Sequence, residues 1–119
     1  MDEIFEKTLL YDFYGELLTD NQKKIYELYH LDDLSLGEIS QQMNISRQGV
    51  HDTLKRCDLS LKNFEEKLGL VDKFIKNKNA MNEIHKITTN ILNDYQQDDI
   101  LKNSLNAIDK IAIGILEEL

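Results

Sequence analysis

Residues 34–56 read LSLGEISQQMNISRQGVHDTLKR, and this stretch decides how the rest of the chain is interpreted. Ser35 can accept hydrogen bonds from the free amides of a following helix, and Glu38 stands at the three-residue spacing of a capping box. Apolar residues then recur at helical intervals and predict one buried face, at Leu36, Ile39 and Met43. The stretch therefore predicts a helix that begins at Leu36.

A short turn follows this helix, and a second helix begins after the turn. Asn44 suits the turn because it tolerates the left-handed backbone conformation better than other non-glycine residues. We expect Ile45 to fill the angle between the helices and Ser46 to cap the second helix. Val50 and Leu54, four residues apart, point back toward the core. Two helices joined in this way are typical of a helix-turn-helix.

The outer face of the second helix carries polar side chains that can reach base edges and phosphates in DNA. We predict that the DNA-binding residues are Ser46, Arg47, Gln48, His51, Asp52 and Lys55. The alternative is an ordinary amphipathic helix pair whose outer face is merely solvated. The three-residue turn and the mostly uncharged donors favour DNA binding, because a solvated face usually mixes Glu and Lys.

The stretch Leu17–Cys57, which reads LLTDNQKKIYELYHLDDLSLGEISQQMNISRQGVHDTLKRC, resembles region 4 of the sigma-70 family. In that family, region 4 reads the upstream promoter element. The whole chain, with an aromatic helix before this stretch and a helical tail after it, is similar to the small YlxM-like proteins. That resemblance implies a helix-turn-helix regulator of Gram-positive bacteria, linked by gene neighbourhood to the signal recognition particle pathway. A component of that particle is among the partners it implies.

The composition is that of a soluble globular protein, with 119 residues of which 41% are hydrophobic and 30% are charged. No apolar run approaches the about 20 residues that a membrane span needs, and the acidic start MDEIFEK is unlike a signal peptide. We therefore expect a cytoplasmic protein that does not contact membranes. The single cysteine, Cys57, falls among apolar positions and is predicted to be a small core residue rather than a reactive thiol.

The net charge of −8 argues against a general nucleic-acid coat, whose surface would be basic throughout. The charge is unevenly distributed along the chain. Residues 1–40 carry 3 Lys or Arg against 10 Asp or Glu, whereas residues 55–78 carry 7 against 4. The net-positive segment, residues 55–78, begins where the predicted recognition helix ends. This position favours a local phosphate contact of modest affinity.

Two helices are predicted before the motif. Residues 3–18 form the first, whose aromatic residues suggest burial against more than one surface. Thr19 and Gln22 make a second capping box, and the helix that they start should end near Leu31. Its inner face supports the helix-turn-helix through Ile25, Leu28 and Tyr29.

An unbroken heptad pattern after the motif predicts that the recognition helix continues to about Lys76, with Gly69 as a point where it could break. The pattern alternates spacings of four and three residues through Val50, Leu54, Cys57, Leu61, Phe64, Leu68, Val71 and Ile75. A helix of some 30 residues spans roughly 45 Å, which is longer than the N-terminal bundle can cover. We therefore predict a dimer or bundle seam at Leu61, Phe64, Leu68, Val71 and Ile75.

Beyond a polar break at Asn77–Asn79, two further helices are predicted at Met81–Tyr95 and Leu101–Leu119, with a turn at Asn93–Asp99. These helices could fold back over the seam, a second copy could cover it, or both could occur. No segment alternates with period two, and the chain has no proline. The predicted fold is all-α: a sigma-70 region 4-like helix-turn-helix bundle (residues 1–58) with a long recognition helix and a C-terminal helical extension (residues 59–119).

The sequence contains no glycine-rich phosphate loop, no His and Cys cluster at metal spacing and no nucleophile beside a recognisable base. We therefore expect neither an enzyme nor a bound metal or cofactor. The leading hypothesis is a DNA-binding regulator that acts as a homodimer, held through its long helix and C-terminal helices, with its two recognition helices in successive major grooves of double-stranded DNA. The alternative is a protein- or RNA-interaction module that has kept the scaffold, which the acidic charge and the long apolar seams favour.

Overall fold

The computed structural model describes residues 3–95 and 97–118, and over these residues the fold is all-α, as predicted. The helices are α1 (Glu3–Tyr14), α2 (Asp20–His30), α3 (Leu36–Met43), α4 (Arg47–Leu68), α5 (Leu70–Asp94) and α6 (Asp99–Glu118), and a short 3-10 helix (Gly15–Leu17) follows α1. The chain divides into two compact units, the first ending at Val71 and the second beginning at Asp72. No described helix is both long and apolar enough to cross a membrane.

Both predicted capping boxes are present. The Thr19 hydroxyl accepts from the Gln22 amide at 3.2 Å, and the Gln22 side chain accepts from the Thr19 amide at 3.2 Å. Ser35 and Glu38 make the same reciprocal pair at 3.1 Å in each direction. Each pair satisfies amides that a helix N-terminus leaves without a partner, so α2 and α3 begin where local chemistry directs them.

The core of the first unit lies between α2, α3 and α4. Its buried members are Ile25, Leu28, Ile39 and Val50, with Leu34, Leu36, Met43 and Leu54 partly buried around them. Burying each large aliphatic side chain contributes about 1.5–3 kcal/mol. Because the cluster joins all three helices, it fixes the angle at which α4 projects from α3.

Helix α1 runs parallel to α4 and covers one side of it. Lys7 Nζ lies 3.9 Å from Asp58 Oδ2, and seven residues further along both helices the Tyr14 hydroxyl donates to Glu65 at 2.5 Å. Leu61, between these two points on α4, is 1% exposed. Part of the predicted seam is therefore used inside this unit.

An aromatic stack joins α1 to α2. The rings of Tyr11 and Tyr26 are 4.7 Å apart and nearly parallel, and Tyr11 donates to Glu27. His30 continues the stack at 4.2 Å from Tyr26, and burial lowers the pKa of His30. Burial also raises the pKa of Tyr26 to about 12. These contacts hold α2 in place as the support for the helix-turn-helix.

The prediction that the recognition helix continues to Lys76 is wrong. Helix α4 ends at Leu68. Gly69 adopts the left-handed conformation, with φ 64° and ψ 23°, and α5 begins directly after it. Glycine reaches this conformation without the steric cost that a β-carbon brings. Heptad spacing alone carries no information about such a break.

Two side chains satisfy the first amides of α5. The Tyr14 hydroxyl accepts from the Leu70 amide at 3.0 Å, and Glu65 accepts from the Val71 amide at 2.9 Å. Burial, followed by the hydrogen bond to Glu65, raises the pKa of Tyr14. The break is therefore a capped junction rather than a frayed helix end.

The predicted polar break at Asn77–Asn79 is absent, since α5 continues through it. Lys76 pairs with Asp72 at 2.9 Å, one helical turn away, and Lys78 lies 5.8 Å from the centroid of the Phe74 ring. Side-chain pairs four residues apart stabilise a helix. The low helix propensity of Asn77–Asn79 is too weak to end the helix against this stabilisation.

The second unit is an antiparallel hairpin of α5 and α6, joined by the turn that the sequence predicts. His85 is hydrogen-bonded to Asp109 across the hairpin, and Thr88 donates to the same carboxylate oxygen at 2.9 Å. Leu105 and Ala112 of α6 are buried. Gln96 and Leu119, which fall within the predicted turn and last helix, lie outside the described residues.

The units divide 13 residues beyond the predicted domain boundary at 58/59, which falls inside α4. The predicted seam is correspondingly split. Leu61 and Val71 are 1% and 4% exposed within the first unit, whereas Leu68 is 54% exposed. Phe64 is half-buried with its ring 6.0 Å from that of Tyr14, and Ile75 is half-buried in the second unit.

Candidate nucleic-acid interface

The turn of the helix-turn-helix has the predicted backbone. Asn44 is left-handed, with φ 56° and ψ 46°, and the next amide, that of Ile45, donates to the Ser40 carbonyl at 3.1 Å. Ser46 then caps α4 by accepting from the Gly49 amide at 2.9 Å. The direction of α4 relative to α3 is thus set by local hydrogen bonds as well as by the core.

Ile45, which the sequence placed in the core, is instead 39% exposed. Its side chain lies beside Gly49. The angle between the helices is already filled by Ile39 and Val50, both fully buried. The remaining predicted core residues are buried or partly buried, namely Leu36, Ile39, Met43, Val50 and Leu54.

All six residues predicted to bind DNA are exposed, and they lie along the first turns of α4: Ser46, Arg47, Gln48, His51, Asp52 and Lys55. From Arg47 to Lys55 the stripe measures about 12 Å along the helix axis, which fits within the width of a major groove. No acidic residue occupies the first turn of α4. The positive end of the helix dipole is therefore uncompensated and favours a nearby phosphate.

The guanidinium of Arg47 lies against the backbone of α3 at Gly37. A β-carbon at Gly37 would come within 3.1 Å of Arg47 Nη2 and 3.2 Å of its Nε. The bare glycine therefore gives the guanidinium its position beside the first turn of α3. Sequence reasoning missed this role, although a glycine inside a helix costs about 1 kcal/mol relative to alanine and often marks a close approach.

A second contact orders the centre of the stripe. Gln48 Nε2 donates to Asp52 Oδ1 at 2.9 Å, and His51 Nδ1 lies 3.6 Å from the same oxygen. Asp52 thus orients the amide of Gln48. One amide hydrogen and the carbonyl oxygen of Gln48 stay available, which is the pair that reads adenine in the major groove.

The described residues contain no group of three or more His, Cys, Asp or Glu arranged to hold a metal ion. Cys57 is buried on the side of α4 that faces α2, with Sγ 3.6 Å from the Gln22 carbonyl. Burial raises the pKa of its thiol to about 11, so the group is neutral and unreactive at physiological pH.

Comparison with known proteins agrees with this architecture. Residues 1–104 match the model of the UPF0122 family, whose description is "Putative helix-turn-helix protein, YlxM / p13 like". The chain belongs to the UPF0122 family. The match includes the whole helix-turn-helix, the α4–α5 junction and the beginning of α6.

Several UPF0122 proteins are similar to this chain over most of their length. The one from Thermoanaerobacter sp. (strain X514) is 57% identical over 90 residues, covering 76% of this chain and 74% of the relative. The one from Desulforamulus reducens is 49% identical over 96 residues, covering 81% and 79%. The one from Geobacillus sp. (strain WCH70) is 41% identical over 112 residues, covering 91% and 99%.

Proposed function

We propose that this UPF0122 protein is a regulator that binds double-stranded DNA by placing the first turns of α4 in the major groove. The observation that carries the proposal is the exposed polar stripe of α4, held on a helix whose opposite face is fully buried at Val50. A rigidly anchored helix with donors at its N-terminal end is the arrangement by which helix-turn-helix proteins read bases.

The side chains of the stripe suggest distinct roles. Arg47 suits a guanine or a phosphate, and Gln48 suits an adenine. Lys55, eight residues beyond Arg47, suits a backbone phosphate, a contact that adds affinity without sequence preference. Ser46 uses its oxygen as a cap, and its hydroxyl hydrogen can still donate to a phosphate.

The proposed regulator acts as a homodimer. A homodimer would supply two recognition helices for two half-sites, which a chain with a net charge of −8 needs for useful affinity. The resemblance to sigma-70 region 4 favours promoter DNA as the target. The resemblance to YlxM-like proteins favours action in the cytoplasm, on genes or components of the signal recognition particle pathway.

A second candidate is a protein- or RNA-interaction module built on the same scaffold. The acidic net charge favours it, as do the exposed apolar side chains of the second unit, such as Ile100 and Ile111. Such a protein would use the helix-turn-helix as a frame and would not discriminate between DNA sequences.

The test is selection of bound fragments from the source genome, followed by fluorescence anisotropy on the selected duplex. Arg47→Ala should cost roughly 1–3 kcal/mol and relax specificity at one position. Lys55→Ala should weaken all duplexes alike and reduce the salt slope by about 1. Lys24→Ala, which removes an exposed charge from α2, is the matched control and should change neither.

Two results would argue against DNA binding. One is the absence of a selected sequence together with no measurable affinity for duplex DNA at low salt. The other is affinity that Arg47→Ala and Lys55→Ala leave intact while circular dichroism shows both variants folded. Either result would favour the interaction module.

A further inference from the structure

The α5–α6 hairpin buries few apolar side chains for its size. Among the described residues of the second unit, only Leu105 and Ala112 are buried apolar residues, and Thr88 is the buried polar one. Large apolar side chains remain exposed at Ile87 (52%), Tyr95 (57%), Ile100 (82%), Ile108 (48%), Ile111 (66%), Ile113 (36%) and Ile115 (39%). Eight more large apolar side chains of the unit are only half-buried, so the hairpin leaves a large apolar surface in water.

A unit of this size needs a further source of stability. It falls well below the about 70–80 residues at which one hydrophobic core becomes sufficient, and small units usually add a disulfide, a metal or an oligomeric partner. The one cysteine of the chain lies in α4, and no metal-binding cluster occurs among residues 3–95 and 97–118. Of these three devices, an oligomeric partner is the one that the exposed apolar side chains favour.

One exposed isoleucine of each helix points to the same side of the hairpin, whereas Ile113, one residue after Ala112, turns to the other side. Ile87 immediately precedes the inward-facing Thr88, and Ile111 immediately precedes the inward-facing Ala112. A step of one residue rotates a side chain by about 100° around the helix axis. Because α5 and α6 are antiparallel, the same one-residue step along each chain brings Ile87 and Ile111 to the same side of the hairpin. We call this side the hairpin face.

On α6 this face is a second heptad stripe. Its positions, at spacings of 4, 3, 4 and 3, are Ile100, Ser104, Ala107, Ile111 and Gly114. Three of them are small, and small residues let a neighbouring helix approach closely. Ile108 and Ile115 lie between this stripe and the inner face, so the apolar arc of α6 is wider than α5 alone can cover. A helix with two apolar sides is suited to a bundle in which it contacts two neighbours.

We propose that a second copy of this chain covers the hairpin face, so that two α5–α6 hairpins associate into a four-helix bundle. The dimensions fit. Helix α6 is 20 residues long, so the face is about 30 Å long and two helix diameters, or about 20 Å, wide, which suits the about 800 Å² that each partner buries in a specific dimer. A two-fold arrangement supplies two helices of matching length, and the same patch serves both copies.

The polar cluster inside the hairpin supports this arrangement. Asp109 of α6 is hydrogen-bonded to both His85 and Thr88 of α5, so the two helices have a fixed register before they meet a partner. A fixed register keeps the hairpin face in place. The sequence predicted a dimer contact through both the long helix and the C-terminal helices. Leu61 and Val71 of the predicted seam are already buried within one chain, so the proposed contact lies in the second unit alone.

The test is the mass of the full-length protein at micromolar concentration, measured by sedimentation equilibrium. Wild type should have the mass of two chains, and Ile111→Glu the mass of one. Leu59→Glu is the matched control, since Leu59 is also helical and is 55% exposed, but lies on α4. It should remain dimeric. A monomeric wild type, a dimeric Ile111→Glu or a monomeric Leu59→Glu would overturn the proposal.

A second measurement covers the case in which Ile111→Glu loses its helical circular dichroism signal. Single cysteines introduced by Ile111→Cys or by Leu59→Cys are treated with a bifunctional maleimide, while the buried Cys57 is left in place. We expect cross-linked dimers for Ile111→Cys and none for Leu59→Cys. The reverse pattern, or no cross-linking of either protein, would contradict the proposal.

The inference rests on the proposed function only in taking the homodimer as the active form, and the two can fail separately. A wild type that dimerises through the hairpin face and binds no duplex would support this inference and refute DNA binding. A wild type that binds duplex as a monomer would support DNA binding and refute this inference. Anisotropy on the same preparations distinguishes the two cases.

Discussion

At the scale of single residues, the side chains of the exposed polar stripe of α4 are held in place by contacts within the first unit. Arg47 lies against Gly37, and Gln48 is hydrogen-bonded to Asp52. A side chain whose orientation is fixed before binding loses less conformational freedom on DNA. If α4 binds DNA as proposed, Asp52 is a positioning residue, and its negative charge next to the phosphates would lower affinity for any sequence.

Asp52→Ala should therefore have two opposite effects. Affinity for all duplexes should rise because one negative charge is removed, while discrimination at the base pair read by Gln48 should fall by about 1–3 kcal/mol. Competition binding with single-base variants of the selected duplex measures both. Glu66→Ala, an exposed acid 14 residues further along α4, is the control and should leave discrimination unchanged. Full discrimination in Asp52→Ala would show that Gln48 does not depend on Asp52.

Tyr14 has a structural role of the same kind at the α4–α5 junction. Tyr14→Phe removes the acceptor of the Leu70 amide and one donor to Glu65, so polar groups in the first unit lose partners. Urea unfolding should show a loss of about 1–3 kcal/mol. Tyr29→Phe is the control, because Tyr29 is 39% exposed and its substitution should stay within about 0.5 kcal/mol. Equal effects of the two substitutions would mean that the junction is not held by this hydroxyl.

At the scale of elements, the parts that the sequence predicted are those governed by neighbours in the chain. The capping pairs of Thr19 and Ser35 and the left-handed turn at Asn44 each depend on residues within about four positions. The end of α4 depends on Tyr14, 51 residues before its partner Glu65. The contact of Arg47 with Gly37 likewise crosses between helices. Such contacts exist only once the helices have packed, so spacing in the sequence could not reveal them.

The left-handed break at Gly69 gives an element-scale prediction with an internal control. Gly69→Ala should destabilise the protein by about 1–2 kcal/mol, because alanine resists the observed φ of 64°. Gly69→Asn is the control and should cost less than Gly69→Ala, because asparagine tolerates the left-handed conformation better. A β-carbon at Gly69 would meet nothing within 4 Å, so steric clash is not a factor. Stabilisation by Gly69→Ala in urea unfolding would indicate that α4 and α5 form one continuous helix.

At the scale of the whole molecule, each unit carries one proposed task. The first unit presents the exposed polar stripe of α4 to DNA, and the second presents the hairpin face to a second copy. The turn before α6 was predictable from its run of polar residues, and it makes the hairpin antiparallel. The occupant proposed for the hairpin face was not predictable, because a heptad pattern indicates an apolar surface but not which molecule contacts it.

The hairpin also has a predicted dependence on pH. The hydrogen bond from His85, and then that from Thr88, lowers the pKa of Asp109 below its usual value of 3.8. Because the pKa is lower in the folded state than in the unfolded state, Asp109 contributes stability that is complete above the unfolded value and is lost as pH falls through the folded one. Thermal unfolding between about pH 5 and pH 2 should show this loss. Asp109→Asn should be less stable at neutral pH and should lack this component of the acid dependence. An identical pH profile for both proteins would contradict the assignment.

The most direct test of DNA binding is amide chemical-shift mapping of the labelled full-length protein as it is titrated with duplex DNA at low salt. We expect the largest shifts at residues 46–55, smaller ones near Gly37, and none on the exposed face of α6. That pattern should weaken in Arg47→Ala and disappear as salt is raised. Shifts confined to the second unit, or no shifts on α4 at any duplex concentration, would contradict the proposal that this helix-turn-helix reads DNA.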